Sequence, residues 1–138
     1  MINSTSNQTT GQLVASGLNV EGFVTPNVQA YQRGSITGFA GAENLSGVLH
    51  TLKIYVDAED VVAGTTYEIT AGGVPGKANV FFSTDDGVLF RADSGTVKIE
   101  IFDKELQKAV IKVKALQHSH DQVEEVEVLV EADFKGFL

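Results

Sequence analysis

The sequence has no cysteine and no tryptophan, only two prolines, and far fewer basic than acidic side chains. Without cysteine there can be no disulfide, thiolate metal ligand, thiol nucleophile or cysteine-linked lipid. Ten Lys and Arg against eighteen Asp and Glu leave a formal charge of −8. That balance disfavours unspecific attachment to nucleic acid or to anionic lipid, so no nucleic-acid partner is expected. No apolar run approaches the roughly 20 residues that cross a bilayer as a helix, so no membrane insertion is expected either. Met1–Thr10 has neither Lys nor Arg and no apolar stretch. It does not read as a secretory signal; residues 1–10 read as a solvated, disordered tail, with the cytoplasm as default location.

What is present suffices for one domain: 138 residues, of which 43% are hydrophobic and 20% charged. The dominant signal is alternation with period two, which sends one row of side chains to a core and the other to water. Leu52, Ile54 and Val56 form one such row, and Val97, Ile99 and Ile101 another. Ile111, Val113 and Ala115 make a third, and Val126, Val128, Val130, Ala132 and Phe134 the longest. Shorter candidates are Gln12–Ser16, Leu18–Val24, Ser35–Phe39 and Thr66–Thr70. Asn79–Ser83 and Val88–Ala92 flank Asp86-Gly87, a strong hairpin signal. Phe102–Lys108 reads as a connection with at most one helical turn, and no segment keeps helical spacing over three turns. Eight to ten short strands at this spacing predict an all-β fold, a two-sheet antiparallel β-sandwich, Ig-like or jelly-roll-like, over residues 11–138.

Candidate chemistry is sparse. His118 and His120 lie two apart, and on an extended strand they share a face. With Asp121 as third ligand they can grip Zn²⁺ or Ni²⁺. The same stretch also reads as a solvated turn. Asp85 and Asp86 offer oxygen ligands for Ca²⁺, but no loop has the spaced Asp-X-Asp-X-Asp-Gly pattern, and Asp85-Asp86-Gly87 equally suits a turn. No Gly-X-Ser-X-Gly elbow is present, and Gly34, Gly38, Gly41 and Gly47 are wrongly spaced for a phosphate loop. No enzyme activity and no cofactor are therefore expected. Of the eleven aromatics, Tyr31, Tyr55 and Tyr67 are available to a sugar face, with Tyr55 out of phase with its core row. Phe81, Phe82, Phe90, Phe102 and Phe134 read as core.

One ordered pattern adds a resemblance. It runs through Ile36-Thr37-Gly38, Leu52-Lys53-Ile54-Tyr55-Val56, and Val62-Ala63-Gly64-Thr65-Thr66-Tyr67-Glu68-Ile69. It continues through Ala78-Asn79-Val80-Phe81-Phe82, Asp93-Ser94-Gly95-Thr96-Val97-Lys98-Ile99 and Asp133-Phe134-Lys135-Gly136. From about Leu18 onward the chain resembles an uncharacterised bacterial β-sandwich family, typified by Bacteroidetes-type surface lipoproteins. The resemblance implies a sandwich fold and a place at or outside the cell envelope. It carries no catalytic residues, and Thr65-Thr66-Tyr67 departs from the family's Gly-Thr-Tyr.

The sequence thus points to a non-catalytic binding or structural module acting through loops or a sheet face on an unknown protein or small ligand. Exposed Leu129 and Leu138 leave oligomerisation open. Two alternatives stand beside it. One is a small acidic inhibitor or immunity-type protein with a basic protein partner; the other is a metal-dependent carbohydrate-binding protein. Gly64 and Gly95, each just before a strand, are expected to need positive φ.

Overall fold

The computed structural model describes residues 8–17, 23–118 and 125–138. Among them there is no helix, and eleven strands carry the fold. In chain order they are β1 (Thr10–Ser16), β2 (Phe23–Thr25), β3 (Val28–Arg33), β4 (Ile36–Leu45), β5 (Val48–Val56) and β6 (Thr66–Glu68). Then come β7 (Ala78–Thr84), β8 (Gly87–Arg91), β9 (Ser94–Asp103), β10 (Lys108–His118) and β11 (Glu125–Lys135). They form a six-stranded sheet, β2-β1-β11-β10-β9-β6, packed on a five-stranded sheet, β3-β4-β5-β7-β8. The strand pairings are antiparallel throughout. The protein is an all-β sandwich.

The alternating rows explain the interior. Leu52, Ile54 and Val56 of β5 are fully buried, as are Ile111 and Ala115 of β10 and Val128 of β11. Two aromatic pairs tie the sheets together. Phe23 of β2 meets Phe82 of β7 edge to face at 5.2 Å, and Phe39 of β4 meets Phe134 of β11 at 5.1 Å. Such pairs add about 0.5–1.5 kcal/mol each beyond the area they bury. The two buried polar side chains among the described residues are satisfied. Thr25 Oγ1 donates to the Ala42 carbonyl at 2.6 Å, and Thr37 Oγ1 to the Ala58 carbonyl at 3.2 Å.

The structure departs from the sequence reading at definite places. There are eleven strands rather than eight to ten, because Val28–Arg33, with its polar outward row, is also a strand. Ile101 is exposed, not inward. The β9–β10 register jumps from Val110↔Ile101 to Ile111↔Ile99, so Glu100 is an extra residue that turns the end of β9 over. Val126, the second residue of β11, is also exposed. Phe81 lies outside the core, since the inward residues of β7 are Ala78, Val80 and Phe82. The connection after Phe102 contains no helix; Gln107 takes φ +50° and Asp103 caps the turn through the Leu106 amide. Leu18–Gly22, part of another expected strand, lies outside the described residues, as does Met1–Asn7 of the expected tail.

Both terminal segments lie along the free edge of β3. Thr9 Oγ1 donates to the Gly136 carbonyl at 2.6 Å and accepts from the Ala30 amide at 3.3 Å. The Leu138 amide donates to the Ala30 carbonyl at 2.8 Å.

Gly64 and Gly95 both have positive φ, at +88° and +117°. At Gly95 a Cβ would also sit 2.0 Å from the Lys114 carbonyl oxygen on the neighbouring strand. Gly95→Val is expected to cost roughly 1–3 kcal/mol from backbone strain alone, and β9–β10 pairing must shift besides. Gly73→Ala, where a Cβ meets nothing within 4 Å, is expected to change stability by about 0.5 kcal/mol or less. Urea unfolding of the two variants checks this; equal midpoints would contradict it.

Candidate functional site

The sequence draws attention first to His118, and the structure shows what holds it. His118 ends β10, Asp93 immediately precedes β9 and Glu125 begins β11. The His118 amide donates to Asp93 Oδ2 at 2.8 Å, and ring Nδ1 lies 2.8 Å from Asp93 Oδ1. Ring Nε2 lies 3.1 Å from Glu125 Oε2. A carboxylate can only accept, so both ring nitrogens are donors together only in the imidazolium form. The Asp93 hydrogen bond, then its charge, raises the His118 pKa above 6.5, with Glu125 adding to it. Asp93 is lowered below 3.8, chiefly by the His118 backbone amide and further by the imidazole and Ser94 hydroxyl. The arrangement pins three strand ends with a charge-assisted clamp.

His120 and Asp121 lie outside the described residues. Asp85 and Asp86 occupy the exposed β7–β8 turn, where the Asp86 amide donates to Thr84 Oγ1 at 3.2 Å. Among the described residues no group of three His, Cys, Asp or Glu is placed to hold a metal ion.

A different feature stands on the outward face of the five-stranded sheet. On β4 the outward positions in the middle of the strand are Gly38, Ala40 and Ala42, paired on one side with β3 and on the other with β5. The strands on either side carry longer outward side chains. Gln29, Tyr31 and Arg33 rise from β3, and Thr51, Lys53 and Tyr55 from β5. The result is an open trough of about 480 Å³ with Ala40 and Ala42 as floor, and Asn27 and Leu49 at one end. From Asn27 to Arg33 its wall runs about 20 Å at roughly 3.3 Å per residue.

The walls are ordered by contacts with one another. The Tyr31 ring lies over Gly38 so closely that a Cβ there would fall 2.4 Å from the ring carbon bearing the hydroxyl. Burial first, then the hydrogen bond and charge of Tyr55, push the Tyr31 pKa up to about 12, so this phenol stays neutral far above physiological pH. The Arg33 guanidinium sits over the Tyr31 ring at 5.0 Å. Beside the trough Phe81 packs on Tyr55 at 5.7 Å, and Arg91 and Lys53 lie over its ring at 5.2 and 6.0 Å. The cations rest on aromatic faces, which attract them electrostatically.

The two outer faces differ in charge. On the six-stranded sheet Lys112 bridges Glu100 at 3.7 Å and Glu131 at 3.9 Å, and Lys114 reaches Glu127 at 3.7 Å. On the five-stranded sheet Arg33, Lys53 and Arg91 make no ion pair among the described residues, and no carboxylate lines the trough. Sequence reading singles out Tyr31 and Tyr55 of this face, but neither the separation of Tyr67 from them on the other sheet nor the trough, its cations or its floor. The available signal was Gly38-X-Ala40-X-Ala42, but it acquires meaning only once β3 is known to flank β4.

No protein-family model, curated protein or solved structure matches the chain.

The clamp at His118 has a definite pH range. Because its pKa is raised above 6.5, its contribution is complete below that value and is lost as pH rises through the shifted value. Asp93, lowered below 3.8, contributes fully above that value and loses its contribution as pH falls through the shifted one. The clamp is therefore tightest between about pH 4 and 6.5. NMR titration should place the His118 midpoint above 6.5 in the native chain and move it back toward that value in Asp93→Asn. An unchanged midpoint in the variant would contradict the assignment.

Proposed function

We propose that this protein is a non-catalytic binding module that seats its ligand in the trough above β4. The observation that carries the reading is the trough itself. A strand paired on both sides presents only Gly38, Ala40 and Ala42 outward along its middle, between two walls of hydrogen-bonding and cationic side chains. Ordinary solvated sheet faces have no need of such a depression, and binding sites are concave with a few placed polar groups. The walls offer amides, hydroxyls and two cations but neither carboxylate nor imidazole. Those are the usual groups for moving protons near neutral pH, so the site's chemistry favours holding over transforming.

An acidic inhibitor of a basic partner would call for an acidic face. The outward face of the six-stranded sheet instead pairs Glu100, Glu127 and Glu131 with lysines, which gives that reading no added support.

Filling the trough tests the proposal. Wild type, Ala40→Trp and Leu129→Trp are each probed against one printed panel of polysaccharides, acidic peptides and basic proteins. Leu129 is exposed on the opposite sheet. Panel signals should persist in Leu129→Trp and fall at least about tenfold, 1.4 kcal/mol, in Ala40→Trp. Signals indifferent to Ala40→Trp, with both variants folded by circular dichroism, would overturn the reading.

A further inference from the structure

We propose that the ligand of the trough is an acidic polysaccharide, a chain of uronate sugars whose carboxylates are met by Arg33 and Lys53. This rests on the binding reading above and gives it a chemical class.

The argument begins with charge. In a chain of net charge −8, both arginines and Lys53 are gathered on one sheet face. They have no carboxylate partners among the described residues. Elsewhere the same fold pairs Lys77 with Glu68, Lys104 with Asp60, and Lys98, Lys112 and Lys114 of the opposite sheet with Glu100, Glu127 or Glu131. Lys108 and Lys135, cross-strand neighbours at one end of the six-stranded sheet, are the other two cations without an ion pair among the described residues, but only the five-stranded face sets its unpaired cations along or beside the trough. A positive strip on an otherwise acidic molecule draws an anion to that strip and repels it from the remainder.

The aromatic contacts narrow the class. Tyr31 has Arg33 over its ring, and Phe81 has Arg91 and Lys53 over its own. Those faces are occupied, so they do not form the free stacking platform that successive bases of a single-stranded nucleic acid require. What the rings do is hold the cations in place before the ligand arrives, which lessens the ordering cost of binding. Along the trough the neutral phenol of Tyr31 and the Tyr55 hydroxyl stand between Arg33 and Lys53, Gln29 faces Lys53 across Ala40, and Thr51 and Asn27 lie one step further on. Amides and hydroxyls both donate and accept, the pairing that a polyol needs.

The backbone argues against a peptide. β4 is hydrogen-bonded to β3 and to β5 along the trough, so it has no free main-chain groups to offer. A peptide strand laid there would have to find partners for its own amides among side chains alone, without the sheet-edge pairing that gives such complexes their affinity. A sugar chain carries no such ladder of amides. The length of the open trough suits an extended polymer laid along it, and a carboxylate suits the two-pronged grip of a guanidinium.

The test uses the full chain and three polymers of comparable length: polygalacturonate, neutral dextran and poly-glutamate, with affinity measured by calorimetry at 50 and 500 mM salt. Polygalacturonate should bind, weaken with salt, and lose at least tenfold in affinity both in Arg33→Gln/Lys53→Gln and in Ala40→Trp. Lys98→Gln on the opposite sheet should leave it unchanged. Equal binding of poly-glutamate would overturn the sugar assignment. Equal binding of dextran, indifferent to Arg33→Gln/Lys53→Gln, would overturn the charge assignment while sensitivity to Ala40→Trp kept the trough as the binding site. Absence of polygalacturonate binding, alongside panel signals that Ala40→Trp abolishes, would overturn the ligand class and leave the binding reading standing.

Discussion

Everything on the candidate face depends on an asymmetry in β4. Its inward side carries Phe39, fully buried and packed against Phe134 of the other sheet, while its outward side between residues 38 and 42 carries nothing larger than a methyl group. A strand ordinarily divides its bulk between two faces because successive side chains point opposite ways. Here the whole bulk goes into the core. Close packing of interiors then fixes the strand in depth, so the shallow side cannot be relieved by the strand rising outward. The trough is thus a by-product of core packing and needs no loop to shape it.

Charge is divided as strictly as volume. On the middle of the six-stranded sheet Lys98, Lys112 and Lys114 form solvent-exposed ion pairs with Glu100, Glu127 and Glu131, each worth little in stability but effective in neutralising that part of the face. On the five-stranded sheet the cations are supported by aromatic rings instead. An aromatic ring steadies a cation without cancelling its charge, so the field of that face survives. The net acidity read from composition therefore describes the molecule as a whole and misleads about this one surface.

How much of this was legible follows from what alternation can express. β5, β10 and β11 announce themselves because one row is wholly apolar and faces a core. β3 does not, since Val28 and Ala30 are its buried positions and Gln29, Tyr31 and Arg33 its outward ones. With β3 unseen, Gly38 and Ala40 read as unremarkable small residues, and the trough could not be drawn. Ile101 went astray because a bulge at Glu100 changes the phase within a single strand, and no residue type marks it. Phe81 was assigned by hydrophobicity, although its phase relative to Val80 and Phe82 placed it outward. The partners of His118 came from residues 25 and seven positions away. Local pattern carries no information about such pairings.

The stitching of Ala30 by Thr9 and Leu138 has a consequence for self-assembly. An open sheet edge invites a second chain to continue it, and stacked continuation is how fibrils grow. At Ala30 that edge is already engaged by the molecule's own ends. The six-stranded sheet finishes on three-residue strands at both margins, too brief to template much. Among the described residues β8, where Val88 and Leu89 are exposed, is then the margin best placed to start fibrillar growth.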